Sequence, residues 1–180
     1  MSQLTVEKLD GEVIAGKFDC GNESINSMVS QSYFPTLLQH AYAYKVILSD
    51  CVIGYYMILF KTLELENAPE VVQEYRSSLI DTYTCVDIKY IAVEQSKQGN
   101  SYGTHILRSI MANVYTLSND FPVSFITLDA LKEKYEWYRK NGFLAFDEKE
   151  MNNSSPTIQM YVSCVLNQEA IETYVDDYLI

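Results

Sequence analysis

Residues 90 to 107, YIAVEQSKQGNSYGTHIL, hold the pattern in this chain most directly able to do chemistry. The apolar run Tyr90-Ile91-Ala92-Val93 reads as a buried strand, and a turn of polar and small residues follows from Glu94 to Gly103. Ile106, Leu107, Ile110, Met111, Val114 and Leu117 then recur at helical spacing. A strand, a glycine-bearing turn and a helix start make a place where main-chain N–H groups converge on an anion. Gly99 and Gly103 remove side chains where a phosphate must approach the backbone closely. The first helical turn adds unpaired N–H groups and the positive end of the helix dipole. The bland alternative is an ordinary strand-to-helix turn.

The segment Gln98-Gly99-Asn100-Ser101-Tyr102-Gly103 resembles the diphosphate loop Gln/Arg-x-x-Gly-x-Gly/Ala of the GNAT superfamily of N-acetyltransferases. Ser101 stands where the family usually has Gly; serine is small, and its hydroxyl can donate to a phosphate. The resemblance implies acetyl-CoA as co-substrate, bound by Ile91, Ala92, Val93, Gln98, Gly99, Asn100, Ser101, Tyr102, Gly103 and Thr104. It gives Ile91 and Val93 the pairing with pantetheine, through main-chain N–H and C=O, and the polarising of the thioester carbonyl.

A second stretch, Tyr138 with Gly142 and Phe143, resembles the family's Tyr-x-x-x-Gly-Phe. The resemblance implies that Tyr138 lies near the CoA sulfur as general acid. When an amine attacks a thioester, the leaving thiolate must gain a proton or be stabilised, and a phenol can supply that proton. Tyr138 is also one of 15 tyrosines, and aromatic packing of helix on sheet is its other reading. Leu131 and Lys134 stand where many relatives carry Asn and Ala. The amine must itself lose a proton. Asp87, six residues before Val93, sits at an offset similar to that of a Glu used by some histone-acetylating relatives, and Glu94 is a second candidate. Each also reads as a solvated strand-end carboxylate, with ordered water doing the work. His105, in the first turn of the main helix, reads as a surface or packing residue.

Phe18-Asp19-Cys20-Gly21 followed by Ile25-Asn26, together with Val93-Glu94-x-x-x-Gln98-Gly99, resembles a GNAT subgroup that includes toxins acetylating aminoacyl-tRNA. The charge balance points elsewhere. With 24 acidic against 13 basic residues the net charge is −11, which attracts cationic partners and disfavours broad nucleic-acid binding. The clearest basic patch is Lys132, Lys134, Arg139 and Lys140, some of which can serve CoA phosphates. The expected acceptor is therefore a primary amine of a small molecule or protein. Aminoacyl-tRNA ranks second, and a non-catalytic CoA-binding module is the third reading.

Several elements must position these residues. The spacing predicts an edge strand over Leu4 to Leu9, then a turn from Phe18 capped by Asn22 or Ser24. A helix follows, broken near Pro35 and ending about His40. Strands are expected over Tyr42 to Leu48 and Val52 to Phe60, joined at Ser49-Asp50. Gly54 marks a bulge or a close backbone contact. Glu64 to Ser78 reads as a polar connection that, with Ser24 to His40, shapes the acceptor pocket. A central strand over Tyr83 to Val93, a helix over Gly103 to Ser118 and a strand over Val123 to Asp129 follow. A helix over Glu133 to Lys140 is stopped by Asn141-Gly142, and strands over Phe143 to Phe146 and Thr157 to Ser163 close the series. From Gln168 the tail places Ile171, Tyr174, Val175 and Tyr178 on one face, which docks on its own domain or in a homodimer.

The fold class is α/β with a mixed sheet, mostly antiparallel and flanked by helices, as in the GNAT acyl-CoA N-acyltransferase fold. One domain over residues 1–180 is expected, with 166–180 as a helical tail. With 48% hydrophobic residues the chain is globular, and it has neither a bilayer-length apolar run nor a signal peptide pattern. Cys20, Cys51, Cys85 and Cys164 form no C-x-x-C pair and there are only two histidines, so no metal site is expected. Scattered thiols fit a reducing cytoplasm.

Overall fold

A computed structural model describes residues 4–9, 14, 18–64 and 82–164 of the chain. In chain order the elements are β1 (Leu4–Lys8), α1 (Glu23–Ser30), α2 (Tyr33–Leu37), β2 (Tyr42–Leu48), β3 (Cys51–Glu64), β4 (Thr82–Val93), α3 (Tyr102–Ser118), β5 (Phe125–Leu131), α4 (Tyr135–Lys140), β6 (Leu144–Ala145) and β7 (Thr157–Ser163). Seven strands hydrogen-bond in the order β1-β2-β3-β4-β5-β7-β6, the mixed-sheet class expected from the sequence. Contacts divide the chain into two compact units, one of residues 1–59 and 88–109, the other of 60–87 and 110–180. The expected tail from Gln168 lies outside the described residues, as does the connection after Glu64.

In the first unit β2 pairs antiparallel with β1 and with β3. Ser49 and Asp50 turn the β2–β3 hairpin with φ of 49° and 65°, the two-residue geometry whose twist suits paired strands. Register shifts between Val46, opposite Gly54, and Ile47, opposite Val52. Gly54 is also a close approach: a Cβ there would lie 2.5 Å from the Ala92 carbonyl oxygen. Both expectations for this glycine hold, because a bulge and a missing side chain let β3 press against β4. Asn22 caps α1 by accepting from the Ile25 N–H at 3.1 Å. The helix breaks after Ser30, since the Pro35 ring excludes a regular turn around the carbonyl four residues earlier. Leu9, Val29, Ala41, Ala43, Tyr55, Met57, Tyr90 and Ala92 make the core.

In the second unit β7 pairs antiparallel with β5 and β6. Leu63, Cys85, Phe125 and Tyr161 are buried together, with Tyr83 and Phe146 against them. β5 begins two residues later than the sequence predicts. Ahead of it the Ser124 N–H donates to Thr84 O and the Ser124 carbonyl accepts from Cys164 N. The strand predicted over Phe143 to Phe146 shortens to Leu144–Ala145, since Gly142 and Phe143 are used in leaving α4. Along α3, Ile106, Leu107, Ile110, Met111 and Val114 are buried, as the periodicity predicts. Each such side chain stabilises by roughly 1.5–3 kcal/mol, which holds this helix regardless of its modest first turn.

Candidate cofactor and catalytic residues

The end of β4 is oriented by its neighbour. The Ala92 carbonyl faces Gly54, and the Glu94 N–H donates to Ile53 O at 2.8 Å. Strand geometry alternates, so the main-chain groups of Ile91 and Val93 point to the opposite edge of β4. These are the two residues expected to pair with pantetheine. Ala92 spends its carbonyl on the β3 side.

Beyond Val93 the chain makes a 3-10 turn over Gln95–Lys97 and enters the expected diphosphate loop. Gln98 Nε2 donates to Cys20 O at 2.8 Å and to Val93 O at 3.0 Å. Asn100 Nδ2 donates to Lys97 O and Gln98 O, both at 3.1 Å. These two carboxamides therefore brace the loop through their amide hydrogens. Gly99 takes φ 78°, and a Cβ there would meet nothing within 4 Å. Its glycine is required by conformation, and the space beside it is open. Ser101 takes φ 62°. A left-handed residue is easiest for glycine, which accounts for the family's preference at this position; serine costs about 1 kcal/mol there. The first bond of α3 runs from His105 N to Ser101 O at 3.1 Å, so Tyr102, Gly103 and Thr104 form the helix's first turn. His105 itself is exposed, as expected.

Sequence reasoning missed a long-range partner of this loop. The Asp19 N–H donates to Glu94 Oε2 at 3.3 Å, and the Gln95 N–H donates to Asp19 O at 2.9 Å. Glu94, a candidate base, is thus engaged with the Phe18–Gly21 segment. The only signal in the sequence was that both segments resemble the same subgroup.

On α4, Tyr138 packs edge-on against Trp137 at 4.6 Å and Phe143 at 5.7 Å between ring centroids. Gly142, at φ 92°, reverses the chain, and Phe143 is fully buried. Asn141 Nδ2 donates to Trp137 O at 2.8 Å, and the Tyr138 carbonyl accepts from Asn141 N and Phe143 N. Turn and anchor thereby fix the ring that the motif supplies. Burial pushes the phenol up to about 12, so it stays protonated at neutral pH. Among the described residues none hydrogen-bonds its hydroxyl.

Asp87 is no solvated strand end. It is buried within β4, where its Oδ1 meets Lys61 Nζ at 2.7 Å and accepts from Thr127 Oγ1 at 2.7 Å. Two charges of the expected basic patch are paired, Lys134 with Glu133 and Arg139 with Glu136, while Lys132 donates to the main-chain and side-chain oxygens of the uncharged Asn153. Among the described residues no group of three or more His, Cys, Asp or Glu is placed to hold a metal ion.

The whole fold is shared with bacterial toxins. A bacterial toxin superposes with a TM-score of 0.81 at 18% identity, over 96% of this chain and 97% of that one. AtaT complexed with acetyl-methionyl-tRNAfMet gives 0.75 at 18%, over 95% and 98%. A Tyr-to-Phe mutant of KacT gives 0.74 at 22%, over 95% and 98%. Another AtaT structure holds the C-terminus of the antitoxin AtaR and acetyl-CoA. The common architecture is the GNAT fold. No protein-family model and no curated protein matches the sequence.

Proposed function

We propose that this chain is an acetyl-CoA-dependent N-acetyltransferase acting on a primary amine of a small molecule or protein. The observation that carries the reading is the loop from Gln98 to Thr104, with left-handed residues at Gly99 and Ser101, following a strand whose Ile91 and Val93 main chain is aimed away from β3. The open space beside Gly99 fits a diphosphate close to backbone. The fold shared with AtaT, a protein solved with acetyl-CoA, adds support.

Bound acetyl-CoA supplies an acetyl group activated as a thioester. The N–H groups of Gly99 to Thr104 hold its diphosphate, helped by the helix dipole. Ile91 and Val93 align the pantetheine arm and polarise the carbonyl. The Tyr138 Oη holds a proton for the departing sulfur. Asp87, tied to Lys61 and Thr127, fixes neighbouring strands, and ordered water takes the proton of the attacking amine. The four cysteines are free, which fits the cytoplasm proposed as its compartment. No helix among the described residues is long and apolar enough to cross a membrane.

A second reading has aminoacyl-tRNA as the acceptor. It draws on AtaT's complex with acetyl-methionyl-tRNAfMet and on the Phe18–Gly21 motif, against a net charge of −11. A thiol-release assay with acetyl-CoA, an amine panel and charged tRNA tests both. Turnover with a free amine or lysine supports the first reading, and turnover with charged tRNA alone supports the second. Thermal stabilisation by acetyl-CoA without turnover on any acceptor would leave a binding module.

A further inference from the structure

The role of Phe18-Asp19-Cys20-Gly21 emerges from what surrounds it. Gln98 spends both amide hydrogens on protein, one on Cys20 O and one on Val93 O. One side chain therefore ties the end of β4 to the segment that enters α1. From the other side, Asn26 on α1 grips the same segment with both ends of its carboxamide. Its Oδ1 accepts from Cys20 N at 2.9 Å, and its Nδ2 donates to Asp19 Oδ1 at 2.8 Å. Asp19 Oδ1 also accepts from Gly21 N at 2.7 Å, which fixes the turn at its left-handed glycine. The far end of α1 is pinned as well. The Ser32 and Tyr90 hydroxyls are buried 2.5 Å apart, and Ser32 gives its proton to Met28 O, so Tyr90 donates.

We propose that Gln98 and Asn26 are positioning residues for the diphosphate loop, Asn26 acting from α1 without touching the cofactor. The inference rests on the acetyl-CoA reading. A loop with two left-handed residues in a row of three is easily disordered, and a phosphate bound by main-chain N–H groups gains affinity when they are held beforehand. Gln98, with its amide hydrogens engaged, serves the cofactor through the shape of that loop and not as a phosphate donor.

The test is calorimetric titration of acetyl-CoA into the full chain, with thermal unfolding run in parallel. Gln98→Glu keeps the shape but removes both donors, whereas Gln98→Arg restores donors. Asn26→Ala removes the second grip. Asn26→Asp keeps the acceptor for Cys20 N while setting a second carboxylate against Asp19, and is read beside it. Gln98→Glu and both Asn26 variants are expected to weaken binding about 3- to 10-fold. Gln98→Arg should stay within about twofold of wild type, and Gln98→Glu with Asn26→Ala should be little worse than either alone. Asn26 variants binding like wild type, Gln98→Arg failing as badly as Gln98→Glu, or strictly additive losses would overturn the proposal while leaving the acetyl-CoA reading intact. A wild-type chain that shows no binding would overturn both.

Discussion

Gly54 on β3 lies so close to the main-chain carbonyl of Ala92 on β4 that a Cβ at residue 54 would stand 2.5 Å from that oxygen. Both partners of the clash are tied to backbone, so no rotamer relieves it. Gly54→Ala must part β3 from β4 and so shift the strand end that carries Ile91 and Val93. A loss of about 1–3 kcal/mol is expected in urea denaturation, together with weaker acetyl-CoA binding. Unchanged stability would mean that the spacing here yields freely.

The Tyr138 hydroxyl is the proposed proton donor to sulfur. Tyr138→Phe keeps the ring against Trp137 and Phe143, and no described residue loses a hydrogen bond. Turnover should fall by about 10²–10⁴-fold, while the Kd for acetyl-CoA stays within about threefold. Full activity in this variant would remove the phenol from the mechanism.

Ser101 carries left-handed strain at the loop. Ser101→Gly relieves about 1 kcal/mol of it but frees the unfolded chain by a comparable amount. Stability should therefore move by less than about 1 kcal/mol, with acetyl-CoA bound at least as tightly as by wild type. Ser101→Val, branched at Cβ, should lose stability and affinity together. If valine were tolerated as well as glycine, φ at this residue would not matter to the site.

Lys61 and Asp87 are unequal partners. The Asp87 side chain is 2% exposed and that of Lys61 27%, so the lysine without its carboxylate can reach water, while the aspartate without its lysine keeps a buried charge beside the Thr127 hydroxyl. Lys61→Met should cost about 3 kcal/mol, more than Asp87→Asn. Chemical denaturation of both variants gives the order. Turnover retained in Asp87→Asn agrees with water as the proton acceptor; a turnover loss without a stability loss would restore Asp87 as base.

Thiols and phenols desolvated by the fold make an alkaline liability, Tyr56 among them. Burial pushes Cys85 from 9.0 to about 11 and Cys164 to about 12, and Tyr90 and Tyr138 from 10.0 to about 12. Between pH 9 and 12 the unfolded chain has released protons that the folded chain still holds. Their contribution is complete below pH 9 and is lost as pH rises through that window. Urea midpoints at pH 8, 9.5 and 10.5 should fall in that order, and less steeply above pH 10 in Tyr138→Phe. A flat profile would show that these groups ionise alike in both states.

Local signals in the sequence located most of the fold. The apolar repeat of α3, the Asn22 cap, the Ser49-Asp50 hairpin and the Gly142 stop each act within a few residues. Gly54 was legible because a glycine inside a strand needs a reason. Pairing across the chain was not legible. Ser124 bonds to Thr84 and Cys164, 40 residues away on either side, and Asp87 is set by Thr127, 40 residues on. The clasp between Gln98 and Cys20 spans 78 residues, beyond any periodicity. Ser101 was visible as an unusual residue, but its left-handed backbone was not.

Asn141-Gly142 is the kind of dipeptide that ages fastest in a loose chain, because the glycine nitrogen closes on the asparagine side chain and ammonia departs. Here the Gly142 N–H is held by Arg139 O and the Asn141 carboxamide by Trp137 O. Folded, the pair is shielded from cyclisation; each excursion to the unfolded state starts a deamidation clock beside the ring on which turnover is proposed to depend.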